Sequence, residues 1–149
     1  MPTIGVEEIT PTETHEGTGN SDIDALFSGF KYSSDVGANT TTLTYSFATS
    51  DSIYSADDIR GYGASDTEPY NGLAGVSENV KSLFKLAIDD LTRFSNFVGQ
   101  EVPDAGDSAG TIRLAWTSFK ENEEDDTVAW AYLPGPHYVG GDIWLQSEA

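Results

Sequence analysis

The sequence predicts an α+β domain. Three observations carry this. One long stretch has helical periodicity, and several short stretches alternate apolar with polar residues. They come in the order strand, long loop, helix and then four strands. That order suits a mixed or antiparallel sheet. A chain of 149 residues fits one domain, since domains run to about 100–200 residues. Its 38% hydrophobic content is low but sufficient for a real core.

The first 20 residues are rich in Thr, Glu, Pro and Gly and read as a disordered or extended arm. Residues 21–29 read as a short helix, capped by Ser21 or Asp22 and ended by Gly29. Residues 42–47 (TLTYSF) alternate with period two and predict a half-buried strand. Residues 48–75 form a long Gly-bearing loop, a length that points to function or disorder. The helix spans residues 77–96. Val80, Leu83, Phe84, Ala87, Ile88, Leu91 and Phe94 recur at steps of three and four, giving one stripe expected to be buried. Ser77 suits the N-cap, Glu78 suits the positive end of the macrodipole, and Gly99 suits the stop. Residues 97–102, 111–117, 127–133 and 142–145 are the remaining strands, separated by a turn at 103–107, an acidic loop at 121–126 and the Pro134-Gly135-Pro136 break. The chain has no internal repeat.

Charge narrows the partners. With 25 acidic and 7 basic residues the net charge is −18, which repels nucleic acid and anionic membranes. No apolar run reaches the roughly 18 residues of a membrane span. There is no Cys, hence no disulfide framework and no thiolate site. The first residues lack the basic and apolar regions of a signal peptide. Self-repulsion of this size should make stability depend on salt, because mobile ions screen charges beyond about 10 Å at 0.1 M. The melting temperature is expected to rise from low salt to about 0.5 M sodium chloride; a flat or falling curve would mean the charges are compensated locally.

Metal and nucleophile motifs fail on spacing. His15-Glu16 opens like HExxH, but Gly19 stands where the second His belongs. His137 lies far away in a Pro/Gly loop. Asn20, Asp22 and Asp24 copy the first ligand positions of an EF-hand, but Ala25 replaces the required Gly and Lys31 stands where its Glu belongs. Glu121, Glu123, Glu124, Asp125 and Asp126 read as a solvated loop. No phosphate-binding Gly run and no GxSxG occurs, and no pair of acids stands out for glycoside hydrolysis. The residues therefore predict neither a catalytic group nor a metal ligand set.

Several pieces in one order carry a resemblance: DIDALFSG at 22–29, LTYSF at 43–47, RFSN at 93–96, GTIRL at 110–114, AWAYLPG at 129–135 and GGDIWL at 140–145. Together they resemble the N-terminal part of the serralysin-type secreted zinc metalloproteases, among the metzincins (peptidase M10), over roughly residues 21–145. The resemblance implies a twisted mixed five-stranded sheet with the long helix on its concave face. Residues 21–149 would then be a partial metalloprotease domain. In that family a further helix carries HExxHxxGxxH, binds zinc and supplies the general-base Glu. The present sequence holds no such motif, and it is expected to be inactive as it stands. Zinc and calcium are implied for the complete family enzyme, with none expected to bind tightly here. The resemblance also implies an extracellular protein whose substrate is an extended peptide. Such a peptide would add to the sheet at an edge strand, bound by Val128, Ala129, Trp130 and Ala131 mainly through their backbone. Asp142, in Gly140-Gly141-Asp142, resembles a structural-ion segment of related matrix metalloproteases, but reads better as a turn or strand-start residue. The alternative is a free-standing, non-catalytic secreted module of the same fold that binds extended peptides at the same edge.

Overall fold

A computed structural model describes residues 12–14, 16–17, 19–21, 30–32, 41–63, 67–105, 108–120 and 126–147. The short helix expected at 21–29, apart from Ser21, and most of the acidic loop lie outside them. Among the described residues the strands are β1 (Thr12–Thr14), β2 (Phe30–Tyr32), β3 (Thr41–Phe47), β4 (Phe97–Glu101), β5 (Ile112–Thr117), β6 (Ala129–Ala131) and β7 (Asp142–Gln146). One α-helix, α1 (Glu78–Phe94), and a 3-10 turn at Glu68–Tyr70 complete the set. The protein is α+β, with a five-stranded mixed sheet in the order β4-β3-β5-β7-β6. The first four strands run parallel, and β6 returns antiparallel to β7. Strands β1 and β2 pair antiparallel in a separate ribbon that the sequence did not signal.

Ser77 caps α1, its side chain accepting from the Val80 N–H. The helix stops at Phe94, ahead of the expected Gly99, which instead lies in β4. A side chain at Gly99 would collide with Ile88, so this Gly lets helix and edge strand approach closely. Val80, Phe84 and Ile88 pack onto Tyr45, Phe47 and Leu114. Phe84 meets Tyr45 and Phe47 edge-on at 5.5 and 5.7 Å between ring centres. The expected stripe is only partly covered, however. Leu83, Leu91 and Phe94 are exposed, because the sheet face meets one flank of the helix and leaves the other open.

The long loop at 48–75 covers the opposite face of the sheet. Parallel strands are normally buried on both faces, and here an irregular segment does what a second helix layer often does. Tyr54, Tyr62 and Leu73 pack with Ala48, Ala115 and Trp144. Residues 42–47, expected to be half-buried, keep an exposed Thr42 but are covered on both faces at their C-terminal end. Ser46, Arg113, Thr117 and Asp142 are the polar members of the alternation, yet all four are buried. They are tolerated because each has a partner. Arg113 makes two bonds of 2.9 Å to Asp104, which also accepts from Ser46 at 2.7 Å and Ser52 at 2.5 Å.

Candidate functional site

Strand β6 closes one end of the sheet. It pairs with β7 through Ala129–Leu145, Trp130–Trp144 and Ala131–Ile143, and no described strand lies on its outer side. The Gln146 N–H donates to the Val128 carbonyl at 2.9 Å, and the Tyr132 N–H donates to the Asp142 carbonyl at 2.9 Å. In an antiparallel pair the bonded residues alternate, so the main-chain groups of Val128, Trp130 and Tyr132 turn toward β7. Those of Ala129 and Ala131 turn outward. The edge therefore presents two N–H and two C=O groups within three residues.

The four candidate residues divide accordingly. Val128 is 78% exposed and precedes the strand, while Ala129 and Ala131 are exposed and small enough not to block the edge. Trp130 is half-buried on the loop-covered face. Its indole N–H donates to Glu68 Oε1 at 3.0 Å, and the Tyr132 hydroxyl donates to the same oxygen at 2.5 Å. Glu68 was not among the candidates; nothing in its sequence surroundings marks it, since its partners lie over 60 positions away.

Behind the edge, the buried Asp142 carboxylate accepts from the Tyr62 hydroxyl at 2.6 Å, and the Trp144 indole donates to that hydroxyl at 2.8 Å. Burial, then the Asp142 charge and the bond to Asp142, push the Tyr62 phenol far up. Burial, followed by the bond and charge of Glu68, likewise raises Tyr132. Burial and then Asp142 raise Tyr32 to about 12. All three phenols therefore stay protonated near neutral pH, and those of Tyr62 and Tyr132 serve as hydrogen-bond donors.

Asp142 begins β7, as read from the sequence, directly after Gly141 at φ +99°. A side chain at Gly141 would strike the Thr111 carbonyl and the Tyr32 hydroxyl, so Gly is required there. Among the described residues no three His, Cys, Asp or Glu side chains converge as a metal ion requires. His137 is exposed in its loop, and His15 lies outside the described residues. No helix among the described residues is long and apolar enough to cross a membrane. Neither a family model nor a curated protein matches this chain.

Proposed function

We propose that this chain is the sheet portion of a serralysin-like zinc metalloendopeptidase domain, and that its β6 edge takes up an extended peptide or protein segment. The observation that carries the reading is the antiparallel β6, lying at the end of an otherwise parallel sheet with an open outer side. A mixed five-stranded sheet with one helix on a face agrees with what the resemblance implies. The Gly-Gly-Asp segment supports it too, since it starts the strand that carries β6. No hydrolytic step is assigned to these residues: the sequence holds no HExxHxxGxxH and no described group suits zinc. The reading also assigns the protein to the extracellular space.

The edge would bind by main-chain pairing. Ala129 and Ala131 offer four hydrogen bonds to one peptide strand, each worth roughly 0.5–1.5 kcal/mol net. The cost of ordering a flexible peptide offsets much of this, so affinity should be modest. The net charge of −18 favours peptides that carry Lys or Arg. The same edge serves the reading as a free-standing peptide-binding module.

The test uses a capped Lys-Thr-Val-Thr-Val-Lys hexapeptide and the variant Ala131→Pro. Proline removes one outward N–H and breaks no bond to β7, and edge strands tolerate such a proline. Ala131→Pro, which removes one such bond, should weaken binding about two- to twelvefold and leave the melting temperature nearly unchanged. Equal binding by variant and wild type, or no binding by the wild type, would refute the peptide edge.

A further inference from the structure

We infer that Glu68 is the positioning residue of the β6 edge: one carboxylate oxygen of this buried residue holds Trp130 in that strand and Tyr132 just past its end, and so fixes where the strand's outward main-chain groups stand. This rests on the reading of β6 as a peptide site. The strand is only three residues long and, among the described residues, pairs on one side alone. A strand that short is poorly held by its ladder, which makes its edge prone to fraying. Side chains two apart in a strand share a face, so Trp130 and Tyr132 reach the same oxygen together.

Glu68 is itself anchored. It is 5% exposed, and its carbonyl accepts from the Thr117 hydroxyl at 2.9 Å. The same hydroxyl lies 2.9 Å from the Asn71 carbonyl, so the two carbonyls share its one proton, and the Ser118 N–H donates to the Asn71 carbonyl at 2.8 Å. Thr117 and Ser118 mark the end of β5, a central strand. A line of bonds thus runs from the middle of the sheet, through the turn at Glu68–Tyr70, to the edge. A peptide meeting this edge finds its partners already placed, which lowers the ordering cost of binding.

The experiment measures amide exchange in the free protein and hexapeptide affinity in parallel, for wild type, Glu68→Ala, Glu68→Gln and Tyr132→Phe. In Glu68→Ala the Trp130 and Tyr132 amides should exchange at least tenfold faster while those of β3 and β5 hold, and affinity should fall several-fold. Glu68→Gln keeps an acceptor oxygen in place and should restore most of both. Tyr132→Phe removes one of the two bonds and should fall between; it also serves if Glu68→Ala does not fold. Unchanged exchange at Trp130 and Tyr132 would overturn the inference, as would acceleration throughout the sheet, which marks a general structural role. Fast local exchange in Glu68→Ala, with a wild type that takes no hexapeptide, would overturn the peptide reading and uphold the hold on β6.

Discussion

Asp104→Ala is expected to destabilise the fold by about 3–5 kcal/mol, because it removes the carboxylate half of a buried, doubly bonded ion pair. The side chains of Arg113 and Asp104 are 3% and 2% exposed. Without Asp104 the guanidinium loses two bonds of 2.9 Å, while the Ile53 carbonyl at 3.0 Å and the Tyr54 ring at 3.7 Å remain beside it. Ser46 and Ser52 lose an acceptor as well. Burial pushes the Asp104 carboxyl up, but the bonds and charge of Arg113, then Ser52 and Ser46, outweigh it and leave it below its ordinary value. A depressed carboxylate contributes stability that is present above its unfolded pKa and lost as pH falls through its folded one. The wild type should therefore lose this contribution below about pH 4, and Asp104→Asn should show a shallower acid limb. Urea unfolding at neutral pH, repeated down to about pH 3, measures both effects. A loss below about 1 kcal/mol for Asp104→Ala would mean the pair is solvated.

Trp144→Ala should cost a similar 3–5 kcal/mol, for a different reason. Trp144 is 0% exposed and stands at the centre of the loop-covered face. Its ring lies 5.2 Å from that of Tyr54 and 5.8 Å from that of Tyr62. Truncation opens a cavity between sheet and loop and takes the indole N–H from the Tyr62 hydroxyl. A loss of this size is a large share of the roughly 5–15 kcal/mol of a typical domain. Near-ultraviolet circular dichroism alongside urea unfolding should show the aromatic signal collapse with the stability. A variant that keeps both would show that the 48–75 loop is not packed on the sheet.

The regular elements were legible because period is a local property. The alternation in residues 42–47 and 111–117 and the three-and-four spacing of Val80, Phe84 and Ile88 each need only a short window. How much of a stripe is covered is not local. Leu83, Leu91 and Phe94 belong to the same periodic pattern as Phe84, yet they lie on the flank that the sheet does not reach. Buried polar partners were illegible for a related reason. Ser46 and Asp104 meet only once the turn after β4 folds back over β3, and Glu68 reaches Trp130 only through the path of an irregular loop. That loop has no period, so its length pointed to function or disorder and nothing marked its aromatic residues as core. At the candidate site, the strand at Ala129–Ala131 could be read from its own residues. Its place at the sheet edge was implied by the resemblance, and the outward aim of Ala129 and Ala131 required the register with β7.

The most direct measurement is residue-resolved amide exchange on the 149-residue chain, with and without the capped Lys-Thr-Val-Thr-Val-Lys hexapeptide. The outward amides of Ala129 and Ala131 have no partner strand among the described residues. They should exchange freely alone and become protected together when the hexapeptide adds as a strand, while the amides of β4 and α1 stay as they were. Protection that appears along β4 or α1, or nowhere, would contradict the assignment of β6 as the peptide-binding edge.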